Sequence, residues 1–459
     1  MSNTNRQQGF IVVLGGGESG VGAAILAQKQ GYDVLLSDNG IISDKYRTAL
    51  EQRGVPFEQG GHSVERILTA TEIIKSPGIP LTAPLIVEAM QRGIPVISEI
   101  EFAGRYSRGK MVCITGSNGK TTTTMLTHHI LTDAGMDAGL AGNVGNSLAL
   151  QVADGDHDVY VVELSSFQLD NMYDFKADVA ILLNITPDHL DRYDHNIDNY
   201  AEAKMRVMRN QSSSDAFIYW ADDPMILRHL EGKHPTGTVY RFTDRDDRSC
   251  AARLDQDDVM HINAGGLEWS MPAAELALRG KHNLYNSMSA AIAATLMGVE
   301  VQQIKHSLGT FRSVEHRLEP VRELDGVQWI NDSKATNVNS TFYALGSMTR
   351  PTVLILGGKD KGNDYSEIAD LVKEKVTAIV CLGVDNRKLH AFFDGMVATV
   401  VDADSMSCAV NLCHSLARPG MTVLLSPCCA SFDLFKSYED RGRQFKECVN
   451  ALRGNNDKL

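Results

Sequence analysis

The chain is short of positive charge. Its 459 residues carry 44 Lys and Arg against 57 Asp and Glu, a formal net charge of −13, and no long basic run. Without a basic surplus, neither nucleic acid nor an anionic membrane is expected as the main partner. Also lacking is any apolar run long enough to span a bilayer. The stretch from Ser2 to Gln8 is polar and has no signal-peptide core. A cytoplasmic protein is therefore expected. The eight cysteines have no metal-ligand spacing: Cys428 and Cys429 are adjacent, and the others are scattered through mostly apolar segments. That pattern reads as reduced, buried thiols. No short-period repeat is present. What remains is ordinary globular composition, 43% hydrophobic and 22% charged, over a length that suggests about three domains.

The most informative stretch begins at Met111. An apolar run ends at Thr115 and is followed by Gly116-Ser117-Asn118-Gly119-Lys120-Thr121-Thr122, then a helical pattern through Met125, Leu126 and Ile130. Strand, glycine turn, Lys-Thr and helix together make a phosphate cradle. The glycines let backbone N–H groups converge on phosphate oxygens, and the helix N-terminus adds partial positive charge. Lys120 is placed to reach the β/γ-phosphates, and the Thr121 hydroxyl to face Mg²⁺. Ile114 stands where the general pattern has a glycine.

Earlier in the chain, Phe10 to Leu14 reads as a strand, followed by Gly15-Gly-Gly17-Glu18-Ser19-Gly20, a helix, and a second strand ending at Asp38. A glycine turn of this form with an acidic residue beyond it admits a phosphate or a ribose, NAD among the possibilities. Further strands at Thr71 to Lys75 and Pro95 to Ser98 make residues 1–108 one small doubly wound domain, with Tyr106 to Lys110 as a linker. Beyond the phosphate loop, the strand Asp158 to Val162 exits at Glu163, the position for a Mg²⁺ ligand. A polar loop from Thr186 to Arg192 includes Asp188 and His189. The helix expected over Tyr200 to Met208 carries Lys204, which by itself reads as a solvated lysine. Val259 to Ile262 and Leu267 to Met271, split by two glycines, predict a hairpin. From near Phe311 strands and helices alternate again, which predicts a third, largely parallel sheet. The expected architecture is α/β: three domains (1–108, 109–311, 312–459), each a mostly parallel sheet with flanking helices. The outer two are Rossmann-like; the central one is a P-loop domain with a small extra antiparallel β region.

Several long motifs occur in one order: the phosphate loop, Glu163-Leu-Ser-Ser-Phe-Gln168, Asn184-Ile-Thr-Pro-Asp-His-Leu-Asp-Arg192, His282-Asn283, Glu315-His-Arg317, Asn331-Asp-Ser-Lys-Ala-Thr-Asn337 and Ser426-Pro-Cys-Cys-Ala-Ser431-Phe-Asp433. In this the chain resembles the Mur ligases, ATP-dependent amide-bond ligases of peptidoglycan precursor synthesis, over nearly its whole length. The Asn331 run and the segment from Ser431 through Tyr438 to Gly442 are similar to the branch that joins D-glutamate to UDP-N-acetylmuramoyl-L-alanine.

The resemblance implies roles. Gly116, Ser117, Asn118, Gly119, Lys120, Thr121 and Thr122 would bind ATP, with Asn283, Arg317 and Asp332 as further nucleotide contacts. Thr121 and Glu163 would hold one Mg²⁺, and His189 and Lys204 would lie at a second, Lys204 as its carbamate. That modification makes chemical sense, because Mg²⁺ wants oxygen ligands and an ammonium offers none. Lys120, His189 and Lys204 form the implied catalytic set. Gly17, Ser19, Asp38 and Gly78 would line a uridine-nucleotide site, with Glu18 an odd acidic neighbour, and Asn143 and Asp188 would face the muramoyl part. Thr336, Lys361, Ser431 and Tyr438 would take D-glutamate. Lys359 is a rival for Lys361, and Tyr438 reads equally as a core aromatic. Small molecules are the expected partners, and the expected state is a monomer.

Overall fold

The structure, a computed structural model, describes residues 9–188, 190–311, 315–360 and 362–454. His189 and Lys361 lie outside the described residues. The chain divides into two compact units, one formed by residues 1–276 with 285–310, the other by 277–284 with 311–459.

The first unit holds two sheets. Strands β1 (Phe10–Leu14), β2 (Asp33–Asp38), β3 (Phe57–Gln59), β4 (Glu72–Lys75) and β5 (Val96–Ile97) form an all-parallel sheet in the order β3-β2-β1-β4-β5. β1 is apolar on both faces, as a strand covered on both sides must be. The helix Glu18–Lys29 follows it and starts at the glycine turn. Gly20 is obligatory there, since a Cβ would stand 1.8 Å from the Gly15 carbonyl oxygen.

The second sheet contains β6 (Lys110–Thr115), β7 (Ala138–Gly142), β8 (Val159–Glu163), β9 (Val179–Leu182), β10 (Ala216–Trp220), β11 (Thr238–Phe242), β12 (Ala252–Leu254), β13 (Val259–Ala264) and β14 (Leu267–Pro272). Their order is β14-β13-β12-β11-β10-β9-β6-β8-β7. The expected hairpin is β13–β14, paired antiparallel. It extends the parallel strands: β12 joins it to them, so one nine-stranded sheet runs through both.

One hydrophobic cluster contains Ile11, Val13 and Leu26 of the first sheet layer together with Cys113, Leu148 and Val162 of the second. Two buried carboxylates reinforce the junction. Glu99 accepts hydrogen bonds from the Ser147 hydroxyl (2.7 Å) and the Ala149 N–H (2.6 Å), at the start of the helix Leu148–Asp154. Glu101 accepts from the N–H groups of Tyr173 and Phe175.

The second unit is built on β15 (Glu319–Leu324), β16 (Val327–Asn331), β17 (Thr352–Leu356), β18 (Val376–Leu382), β19 (Val400–Ala403) and β20 (Thr422–Leu425), in the order β15-β16-β20-β17-β18-β19. Only the β15–β16 pair is antiparallel. Each face is covered by its own apolar cluster: Val353, Val380 and Phe445 on one, Leu354, Ile379 and Phe393 on the other. The terminal helix, Tyr438–Ala451, is capped by the Ser437 side chain. All eight cysteines are free thiols, six of them buried. Among the described residues no helix is long and apolar enough to cross a membrane.

Candidate active site

The phosphate loop leaves β6 and enters the helix Lys120–Asp133. Its conformation needs glycine: Gly116 has φ +149° and Gly119 φ +85°. A Cβ on Gly116 would stand 3.0 Å from the Leu183 side chain. The loop is stitched to the segment after β9. Asn184 Oδ1 accepts from the Asn118 N–H (2.8 Å), and its amide donates back to the Asn118 carbonyl (3.0 Å). The Ser117 hydroxyl donates to the Thr186 carbonyl (2.9 Å) and lies 3.2 Å from the Tyr200 hydroxyl. Sequence placed the loop but not these ties.

Lys120 folds back on this loop and donates to the carbonyls of Gly116 and Ser117, both at 2.8 Å. Lys204 comes from the helix Ile197–Met205 and is 1% exposed. It is not the solvated lysine its sequence context suggests. Its Nζ donates to the Gly116 carbonyl at 2.8 Å and sits 4.5 Å from the Tyr200 ring centroid. Burial, and then the charge of Lys120, hold its pKa well below the usual lysine range; Asp188, Glu163 and Asp170 pull the other way.

Glu163 is buried at the exit of β8. Its Oε1 accepts from the Asn143 amide at 3.0 Å, and its carbonyl accepts the Asn143 N–H at 2.9 Å. Gly142 permits that approach: its φ is +97°, and a Cβ would meet the Glu163 carbonyl oxygen at 2.1 Å. Thr121, Thr122 and Ser117 of the cradle are buried as well. Thr121 and Glu163 offer only hard oxygen donors, a set that fits Mg²⁺. The structure thus brings together Gly116, Ser117, Asn118, Gly119, Lys120 and Lys204, and ties Asn143 to Glu163.

In the first sheet layer a cavity of ≈ 610 Å³ opens at the carboxyl ends of β1 and β2. Asp38 and Gly78 line it; Gly17 and Ser19 do not. The Asp38 carboxylate accepts the N–H groups of Gly16 (2.5 Å) and Gly40 (2.7 Å), so it shapes the glycine turn. Glu18 is turned aside, accepting from the Tyr46 hydroxyl at 3.1 Å. Two residues here escaped the sequence reading. His62 lines the cavity, with Nδ1 2.7 Å from the Ser37 hydroxyl. Lys75 is buried and donates to the Ile79 carbonyl (2.8 Å), fixing the turn that carries Gly78. Burial, helped by the Arg192 charge, lowers Lys75 to about 8.

In the second unit Asp332 is buried, and its oxygens accept from the Ser426 hydroxyl (2.9 Å) and the Leu318 N–H (3.2 Å). Burial pushes it up to about 7 against those bonds. Asn283 donates to the Arg279 carbonyl at 2.8 Å. Burial and the neighbouring Arg317 charge pull His282 down to about 4. Ser431 is buried, Thr336 and Tyr438 are half-buried and Lys359 is exposed. Lys334 Nζ lies 5.1 Å from the Tyr438 ring centroid. Arg441, which the sequence reading left without a role, is the fastening: it is 1% exposed and donates to the Ser333 hydroxyl (3.0 Å), the Ser333 carbonyl (2.8 Å) and the Cys429 carbonyl (3.2 Å). It thereby joins the two loops on which Thr336 and Ser431 sit. Nothing in its spacing marks it; only its place in the long terminal motif does.

Three family models match in chain order: "Mur ligase MurD-like, N-terminal domain" over residues 9–98, "Mur ligase middle domain" over 114–294, and "Mur ligase, glutamate ligase domain" over 316–429. The chain belongs to the Mur ligase family. It is 56% identical to the UDP-N-acetylmuramoylalanine–D-glutamate ligase of Bacteroides fragilis over 443 residues, 96% of this chain and 99% of that one. The enzyme of the same name from Christiangramia forsetii is 50% identical, over 96% of this chain and 99% of the relative. Among solved structures, MurF of Acinetobacter baumannii superposes with a TM-score of 0.62 at 16% identity, covering 93% of this chain and 98% of that one. MurF of Thermotoga maritima in complex with ADP gives 0.58 at 15% identity, covering 91% and 94%. At such identities these two likenesses speak for the Mur ligase fold alone.

Proposed function

We propose that the chain is an ATP-dependent ligase that joins D-glutamate to UDP-N-acetylmuramoyl-L-alanine in peptidoglycan precursor synthesis. The near full-length identity to enzymes of that name supports the reaction. The observation that carries the mechanism is the convergence of Lys120 and Lys204 on the Gly116 carbonyl at the phosphate loop.

The γ-phosphoryl group passes from ATP to the substrate carboxylate oxygen, leaving ADP and an acyl phosphate. The D-glutamate amine then attacks the acyl carbon, loses a proton, and phosphate departs from the tetrahedral intermediate. Such transfers need positioning and charge neutralisation more than covalent chemistry. The loop N–H groups and Lys120 hold the phosphates, Lys120 by leaving the two carbonyls it now caps. Thr121 and Glu163 are proposed to hold Mg²⁺, with His189 and Lys204 at a second ion. Bound there, the ion reduces repulsion between nucleotide and substrate carboxylate. Lys204, whose pKa burial lowers well below the usual lysine range, is proposed to carry a carbamate, which supplies the oxygens an amine lacks. Asn143 positions Glu163 and, with Asp188, faces the muramoyl group. Thr122 completes the nucleotide cradle, and Asn283, Arg317 and Asp332 are proposed for the rest of the nucleotide.

The cavity with Asp38 and Gly78 is proposed for the uridine nucleotide, Gly17 and Ser19 serving the turn above it. Thr336, Ser431 and Tyr438, with Lys361, are proposed for D-glutamate, whose side-chain carboxylate needs a cation and hydroxyl donors. The proposed domains are 1–108 for the UDP-substrate, 109–311 for ATP and 312–459 for the amino acid, in a monomeric cytoplasmic enzyme. The test is ATP-dependent phosphate release with a panel of UDP-muramoyl acceptors and amino acids. Product with D-glutamate but not with L-glutamate or diaminopimelate is expected. Equal use of diaminopimelate would assign the chain to a different ligase of the family.

A further inference from the structure

The edge of the third sheet gathers three metal-type donors away from the phosphate loop. Cys381 is the last residue but one of β18, and Asp402 lies opposite it on the edge strand β19. Strand alternation puts both on one face. Ile379 and Cys381 pack with Leu389 and Phe393, while Val380, Leu382 and Ala403 belong to the cluster on the other face. The helix Arg387–Phe393 covers the first of these faces and brings His390 over it. The Cys381 sulfur, a ring nitrogen of His390 and an Asp402 carboxylate oxygen all lie within 4.8 Å of one another.

Two details suit the imidazole to a ligand's task. Nε2 points at Asp402 Oδ1, 3.0 Å away, and Nδ1 lies 2.9 Å from Asp394 Oδ1. A carboxylate on the far nitrogen fixes ring and tautomer so that Nε2 is the coordinating atom. Asn386 donates to Asp402 Oδ1 at 2.8 Å and steadies that carboxylate. His390 and Asp402 line a ≈ 940 Å³ cavity together with Asn386 and Cys408, while Cys381 is buried and outside that lining; the cavity gives an ion a way in and leaves a position for water.

We propose that Cys381, His390 and Asp402 form a binding site for a divalent transition-metal ion of the zinc class, with three protein ligands and a fourth position open to solvent. Sulfur and imidazole select such an ion over Mg²⁺ or Ca²⁺, in contrast to the all-oxygen pair Thr121 and Glu163. Tetrahedral coordination at Zn–N and Zn–S lengths of ~2.0 and ~2.3 Å sets ligand atoms roughly 3.3–3.6 Å apart. On binding, the Cys381 thiol releases its proton to solvent, as does the imidazole if charged. Thiolate and carboxylate then balance the 2+ charge. The ion ties the edge strand to its neighbour and to the covering helix. Sequence spacing hid this set, because its members come from two strands and a helix.

Cobalt(II) is the probe, added to metal-stripped protein in excess Mg²⁺ so that oxygen-only sites are filled. A thiolate-to-cobalt charge-transfer band saturating at about one equivalent is expected, since only a Cys-containing site produces it. It should vanish in Cys381→Ser, and the apparent affinity should fall at least about tenfold in His390→Ala and in Asp402→Asn, in line with the loss of a ligand. Asp402 guards against misfolding as an explanation, its side chain being 61% exposed. Absence of the band in the wild type, or a band that survives both Cys381→Ser and His390→Ala, would overturn the site and leave His390 as a plain ion-pair bridge between Asp394 and Asp402.

Discussion

The ammonium groups of Lys120 and Lys204 donate to one oxygen, the carbonyl of Gly116, each at 2.8 Å. Two cations on one acceptor are tolerable only if one gives up its charge or both await an anion. The buried member is Lys204, and burial with the Lys120 charge drives it toward the neutral amine. Lys120 is half-buried and is the member proposed as phosphate ligand. The glycine turn thus sets the two lysines apart: the buried one is the one whose charge is disfavoured.

Lys120→Ala should lower ligation by on the order of 10³-fold, the scale expected when a group stabilising transition-state charge is removed. The fold should survive, because the bonds from Lys120 to the Gly116 and Ser117 carbonyls lie within the loop itself. Phosphate-release kinetics and the thermal unfolding transition check the two halves. A folded variant that turns over like the wild type would remove the loop from the mechanism.

Asp38→Ala should raise the KM for the UDP-substrate and leave the KM for ATP little changed. The carboxylate organises Gly16 and Gly40 around the cavity, in a unit that places the phosphate loop on a different sheet. NADH should bind neither form. Tight NADH binding, with the UDP-substrate indifferent to the substitution, would point to a dinucleotide site instead.

How far the sequence reached follows from what each signal needs. β1, β6 and β17 were legible because buried parallel strands are apolar throughout and end in glycine turns. β3 and β12 have three residues each, too few to display a period of two, and were missed. β7, Ala-Gly-Leu-Ala-Gly, has a glycine-rich composition that argues against a strand. The phosphate loop could be read from local order, but its ties to Asn184 and Thr186 join segments about seventy residues apart. Lys204 misled for a related reason: a lysine on a short helix is usually solvated, and only the tertiary position of Tyr200 and Gly116 buries it.

Glu99 gives a pH signature of the junction between the first two sheets. Burial raises it to about 7 from 4.5, despite the Ala149 and Ser147 hydrogen bonds. Because the folded pKa is the higher one, the folded protein binds the extra proton between 4.5 and 7, and stability falls as pH rises through that window. The whole effect is at most about 3 kcal/mol. Glu99→Gln keeps an acceptor for Ser147 and removes the ionisation. Its urea midpoint should therefore gain on the wild type from pH 5 to pH 8. An unchanged difference between the two proteins over that range would mean Glu99 is ionised throughout.

The last expectation concerns the modification of Lys204. A carbamate forms only from the neutral amine, so a lysine held below its usual pKa reacts at pH values where ordinary lysines do not. Native-condition mass spectrometry should find an adduct of about 44 Da on Lys204, the mass of CO₂ added to an amine that a site of this kind can deprotonate. The adduct should diminish as pH falls, because protonation removes the nucleophile. Lys204→Ala should lose most activity, and acetate should restore part of it by supplying carboxylate oxygens in the vacated space. Lys204→Arg should stay inactive: a guanidinium remains cationic, cannot take up CO₂, and would set a permanent charge beside Lys120. Full activity in Lys204→Arg would refute the carbamate and leave Lys204 as a donor that does no more than fasten the Gly116 carbonyl.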